Sequence, residues 1–366
     1  MGASKVLPVV MAAFLLIATV SATVSRAIDI VGEANIGEAK VTVAATAPTV
    51  SFAFYSDSGY TTTTKEFTPG TQVYMKISVS TDNIMSDVVV AVKLFADTNA
   101  SAVGTPPTST DPATYVNFTI SYDSNSGQWV LNADTGGSTT WSIQLDPNKQ
   151  QPDPGATTGD FYVVITPGKV AAEAKPTGDA DYADWDCIVT ASVDTESTTV
   201  SDYGYTMYFY SEISTDTTGI DFGTLKPGSS GGIKNVNTGN GYAPASYFTI
   251  NVIANGKYNL NLTTSSTWYH TDGVHYITLG SGTSPGTGEF LLYADDAEDS
   301  NNPGLPLNKH PVSSSLSTSE GILETPASRT TESGQSYNIY MEIDLGVGIA
   351  VGTYTGTVTV TATDAT

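Results

Sequence analysis

Three groups of side chains in this chain are of types that could do chemistry. Asp179, Asp181, Asp184 and Asp186 fall within eight residues, and Asp295, Asp296, Glu298 and Asp299 crowd a stretch that also holds Asn301 and Asn302. Carboxylates at this density suit a hard cation such as calcium, which takes about six to eight oxygen ligands. In an extended strand alternate residues share a face, so Asp184 and Asp186 are expected to point the same way. Neither cluster has the twelve-residue spacing, central Gly and final Glu of a helix–loop–helix calcium loop. The plain alternative is a solvated acidic loop. The third group is His270 and His275, separated by Thr271-Asp272-Gly273-Val274. On one regular strand they would take opposite faces; across a turn at Thr271-Asp272-Gly273 they would face each other, where they could bind a metal or stand as exposed imidazoles.

Catalytic patterns are wanting. The chain has no G-x-S-x-G elbow, no H-E-x-x-H and no phosphate-cradling Gly-Lys loop. The single cysteine, Cys187, cannot form an internal disulfide, and within DWDCIVTASV it reads as a small buried hydrophobe. Three sequons occur, at Asn99, Asn117 and Asn261, and could carry glycans on an exported chain. Twenty tyrosines and four tryptophans could line a sugar platform, but they serve equally as core and cross-strand pairs.

The elements that position these residues are strands. The chain has 366 residues, 14 Lys plus Arg, 37 Asp plus Glu and a net charge of -23. That balance argues against nucleic acid and an anionic lipid surface as partners, since both are held by cationic side chains. With only 14% charged residues, the surface must be rich in hydroxyl and amide groups, as on half-exposed sheets. At the N-terminus Lys5 precedes an apolar run from Val6 to Val20, followed by Ser21, Ala22 and Thr23 and then Ser25, Arg26 and Ala27. This is the order of a secretory signal, with small-residue cleavage points after Ala22 and Ala27. The run is short for a membrane-spanning helix, which needs about 20 apolar residues, though an uncleaved anchor reaching Val24 is the alternative. Cleavage after Ala27 would leave 12 basic residues against 37 acidic ones.

Beyond residue 30, period-two alternation and turn clusters dominate. Residues 28–47 form a linker or a donor strand, with Val41 and Val43 alternating. A first β-sandwich is expected over 48–203, with eight or nine strands and a hairpin at DSNSG. A second is expected over 204–366, with two long, weakly structured loops at 226–244 and 294–334. Its closing strand alternates almost perfectly from Tyr354. The fold class is thus all-β, with two immunoglobulin-like β-sandwich domains after an N-terminal signal or anchor.

IDFGTLKPG at 220–228, the pair in YFTINVIANGKYNLNL and GVGIAVGTYTGTVTVTATD at 346–364 together resemble the immunoglobulin-like domains of secreted archaeal surface proteins. In that family a strand and a G-x-L-x-P-G turn open the sandwich, and a G-x-Y-x-G-T-[VI]-T-[VI]-T strand closes it. The first half is similar to archaeal extracellular β-sandwiches through FTPGTQVYMKISVSTDNIMSDVVVAVKLF, and the likeness covers about 80% of the chain. A weaker likeness is to camelysin-type biofilm-fibre subunits, which can polymerise by donating a strand. These resemblances imply a non-enzymatic extracellular or cell-surface structural protein, such as a filament or surface-layer subunit. Its partners would be copies of itself, other surface proteins or glycans. Two other classes compete: an exported carbohydrate- or ligand-binding sandwich, and an exported hydrolase built on paired carboxylates.

Overall fold

The computed structural model describes residues 44–175, 181–316 and 321–365. The expected signal, the expected donor segment up to Val43, and Asp179 lie outside them. Ala45–Thr366 forms one compact unit, and within it the chain builds two hydrophobic cores. The described residues are all-β, with a single 3-10 turn at Met85–Asp87. None of their helices is long and apolar enough to cross a membrane.

Ten strands surround the first core: β1 (Thr49–Tyr55), β2 (Glu66–Phe67), β3 (Val73–Ser80), β4 (Val88–Asp97), β5 (Tyr115–Asp123), β6 (Gln128–Asp134), β7 (Ser142–Leu145), β8 (Thr158–Thr166), β9 (Asp184–Val193) and β10 (Glu196–Met207). They form a four-stranded sheet, β1-β3-β8-β7, and a six-stranded sheet, β2-β10-β9-β4-β5-β6. Val73, Met75, Ile77 and Val79 alternate inward along β3 and meet Val90, Val92 and Val189 from the facing sheet. This is the period-two pattern of a strand with one buried face. Turn chemistry fixes the register. Thr68-Pro69-Gly70-Thr71 closes with Thr71 N–H donating to the Thr68 carbonyl at 3.0 Å and Gly70 at a φ of 76°, a Pro-Gly type II turn. Gly127 N–H donates to the Asp123 carbonyl at 2.8 Å and joins β5 to β6, where DSNSG predicts a hairpin. Trp185 is buried, and its indole N–H reaches the Ala172 carbonyl at 2.8 Å.

The second core is enclosed by β11 (Ser211–Ser214), β12 (Gly219–Asp221), β13 (Ser230–Gly232), β14 (Asn235–Asn237), β15 (Tyr242–Pro244), β16 (Phe248–Ala254), β17 (Tyr258–Thr264), β18 (Thr267–His270), β19 (Tyr276–Leu279), β20 (Glu289–Asp295), β21 (His310–Pro311), β22 (Gln335–Leu345), β23 (Tyr354–Thr355) and β24 (Val358–Asp364). One large mixed sheet runs β11-β16-β22-β20-β19-β18-β23, with β13 on β22 and β21 on β20. Facing it are a three-stranded ribbon, β12-β14-β15, and a pair, β17-β24.

Three differences from the sequence reading have physical causes. β10 runs through the expected boundary at 203/204, because Gly204 at a φ of 81° absorbs a bulge between Asp202 and Tyr205 and the strand continues. The 226–244 stretch, expected to be weakly structured, contains three short strands. The closing strand divides at Gly356: the Trp268 ring lies so close that a Cβ there would sit 2.1 Å from it. β23 therefore pairs with β18 in the large sheet, and β24 crosses to β17 in the facing one.

A polar seam joins the two halves. Asn255 is buried; its amide donates to the Ala171 and Tyr208 carbonyls at 2.8 and 3.0 Å and accepts from Tyr210 N–H at 2.7 Å. Glu332 takes hydrogen bonds from the Ser138, Thr139 and Thr140 hydroxyls and from Thr139 N–H. Partial burial pushes the Glu332 carboxyl up, but these donors outweigh it and hold its pKa at about 2. Lys175 is paired with Glu173 and Asp364.

Candidate functional site

The acidic residues singled out by sequence separate into two situations. Asp184 and Asp186 share a face, as strand alternation requires, and both are fully buried. The Asp184 Oδ2 accepts from Gly204 N–H and the Asp186 Oδ2 from Gly104 N–H, each at 2.6 Å. Each keeps an Oδ1 with no hydrogen-bond partner, and so does the Oδ2 of Asp97, which opposes Asp184 across β4 and β9. Burial is the main cause raising both carboxyls; for Asp186, with Asp184, Asp97 and Asp202 adding like charge, the pKa reaches about 6. Asp97 was missed by the sequence reading. Its only signal is the acid ending the apolar run VVVAVKLFAD, and nothing local says which strand it will face.

The second cluster is spent on its own loop. Asp295 is buried and accepts from Ala297 N–H and Asn308 N–H. Glu298 accepts from Gly304 N–H at 2.7 Å, and Asp299 from Asn301 N–H at 2.9 Å and the Asn302 amide at 2.7 Å. Asp296 is half-buried beside Asp295, and burial raises its carboxyl. Among the described residues neither acidic cluster brings three ligand atoms within 4.8 Å of one another; His270, Asp272 and His275 do.

The sequons differ in accessibility. Asn99 is exposed in the loop after β4. Asn117 is half-buried in β5 and turned toward Thr110. Asn261 is buried in β17 and donates to the Thr363 hydroxyl at 2.7 Å, away from the surface position that a glycan-bearing amide occupies. Cys187 is fully buried, and burial pushes its thiol well up, away from the thiolate form a nucleophile needs.

A groove of about 640 Å³ lies between the large sheet and β24. Its floor and walls include Ile213, Ile220, Phe248, Ile250, Trp268 and Val360. Among the described residues β24 pairs with one strand, β17. Ser265 N–H donates to the Thr357 carbonyl at 2.9 Å, so the hydrogen-bonding side of Thr357 faces β17. Strand alternation then turns the backbone groups of Val358 and Val360 toward the open edge. At the far end of that edge, the Ala362 carbonyl accepts from the Ser211 hydroxyl at 3.2 Å. The groove thus lies where a further strand of the β17-β24 sheet would run. Alternation marks residues 354–363 as a strand but does not show that it is an edge.

No family model matches the chain, and no curated protein matches it. One similar solved chain comes from a structure described as "Chaperone-tip adhesin complex is vital for synergistic activation of CFA/I fimbriae biogenesis"; the match covers 77% of this chain and 86% of that one, at 9% identity and a TM-score of 0.18. A likeness at that score carries no argument about architecture or role.

Proposed function

We propose that this chain is a non-enzymatic structural protein of the cell surface that assembles by strand addition, with an extended segment of one copy seated beside β24 of the next. The observation that carries this reading is the open edge of β24 next to an apolar groove. Unpaired N–H and C=O groups on an edge invite another strand, and main-chain hydrogen bonds supply the affinity while alternate side chains fill pockets. The proposed occupant is residues 28–44 of a second copy. Within it KVTVA at 40–44 places Val41 and Val43 on one face, suited to the apolar floor. Because donor and acceptor surfaces differ, the contact is head-to-tail and propagates into a filament. The charge of -23 suits a protein that must stay soluble until strands engage. Export follows from the Lys5, apolar-run and small-residue order.

The test is deletion of residues 28–44, with assembly followed by negative-stain microscopy. The expected product is a folded monomer that no longer forms polymers, and Val360→Lys in the full chain should have the same effect by placing a charge in the groove. Unchanged polymers, or a lowered melting temperature in dilute monomer, would mean that the segment belongs to its own first sheet. The second reading, a carbohydrate-binding sandwich, is favoured by Tyr242, Trp268 and Tyr354 lining the same groove. Dispersed monomers that bind on a glycan array would support it instead.

A further inference from the structure

We infer that the β18-β19 hairpin carries a surface site for one borderline divalent transition ion, of the zinc, cobalt or copper class, held by His270, Asp272 and His275. The inference is independent of strand addition and would survive its failure.

The hairpin brings the three residues together through its backbone. Tyr269 opposes Tyr276, and His270 N–H donates to the His275 carbonyl at 2.9 Å, so the two histidines close the strand pair. Gly273, at a φ of 71°, donates to the His270 carbonyl and turns the chain. Asp272 is thereby set between the two rings. Its Oδ1 lies 2.9 Å from His270 Nδ1, and its Oδ2 lies 2.6 Å from His275 Nδ1. The rings are 5.8 Å apart at 86°. Ligand atoms of all three residues lie within 4.8 Å of one another.

The His270 ring has no freedom to turn away. Its Nε2 edge is pressed on Gly352, where a Cβ would sit 1.5 Å away, and Tyr354 packs against it at 5.1 Å. Its Nδ1 faces both Asp272 N–H, at 3.1 Å, and the Asp272 carboxylate. A single imidazole nitrogen cannot accept from the first and donate to the second. A cation between ring and carboxylate would take the Nδ1 lone pair in place of the Asp272 N–H and neutralise the carboxylate that faces it. Two imidazole nitrogens and one carboxylate oxygen form a donor set that suits zinc and its neighbours, whereas calcium requires mostly oxygen. Tetrahedral ligands at about 2.0–2.1 Å from zinc lie roughly 3.3 Å apart, so the present contacts need only open by about half an ångström. His275 is more than half exposed, and Tyr269, Val274 and Tyr276 beside it are exposed too. The remaining coordination positions therefore open to solvent, as in a site that accepts an external ligand.

The experiment uses the full chain, stripped with chelator and titrated with zinc by calorimetry, with cobalt absorption as a second readout. One ion per chain is expected. His275→Ala and Asp272→Asn should each weaken binding at least about tenfold, and His310→Ala should leave it unchanged. His275→Ala keeps the test sound if Asp272→Asn disturbs the turn, because the exposed ring is lost while the backbone bonds remain. Zinc affinity in His275→Ala within about threefold of the unmodified chain would overturn the assignment, as would equal competition by calcium.

Discussion

The two cores use the same strand chemistry and end differently. Around the first, sheets of four and six strands cover each other, and the residues between them are shielded on both sides. Around the second, the large sheet is faced by one ribbon and one pair, and β24 is left with an open edge over a groove. Alternation along a strand says which face is buried, but not whether a neighbour is available to pair the edge. The same signal therefore gives two sheets that cover each other in one half and an open edge over a groove in the other.

Substitutions can break this comparison. The largest effect is expected in the closed core. Phe161 is fully buried and packs edge-on against Trp129 with centroids 4.7 Å apart. Phe161→Ala should cost about 3–5 kcal/mol in denaturant melts, whereas Val358→Ala beside the groove, where the residue is half-buried, should cost less than about 1 kcal/mol. Equal costs would mean that the groove is packed as tightly as the core. Next comes the seam. Asn255→Ala strands two carbonyls and an amide N–H and should cost about 2–4 kcal/mol, with the unfolding transition broadening as the halves uncouple.

Asp186 gives a smaller, pH-dependent effect of defined sign. Its folded pKa of about 6 lies above the ordinary carboxyl value, so the folded state binds the proton more tightly than the unfolded chain. Stability should rise as pH falls from 7 through 6 toward 4, by on the order of 2 kcal/mol. Asp186→Asn should hold that gain at all pH values and flatten the profile. Glu332 carries the opposite sign and the smallest effect. Its carboxyl is held at about 2, so its contribution is present above the ordinary glutamate range and lost as pH falls from about 4.5 toward 2. Glu332→Gln, which keeps the shape of the contact and removes the charge, should cost about 1 kcal/mol at pH 7 and nothing near pH 2.

Much of the fold was legible because it depends on local chemistry. The strand class, the Pro-Gly and DSNSG turns, the shared face of Asp184 and Asp186 and the burial of Cys187 all follow from alternation and turn residues. The turn between His270 and His275 was also readable, and with it the chance that the two rings meet.

What the sequence by itself determined is therefore the β class and the local geometry of its hairpins, since side-chain period and backbone dihedrals act over only a few residues. Tertiary structure decided the rest. It placed Asp97 opposite Asp184, buried the sequon at Asn261 against Thr363, set the Glu332 carboxylate among the hydroxyls of residues 138–140, and split the closing strand at Gly356 under the Trp268 ring. Each of these contacts joins segments distant in sequence. Their partners are chosen by which sheets pack together, and that is a property of the whole chain.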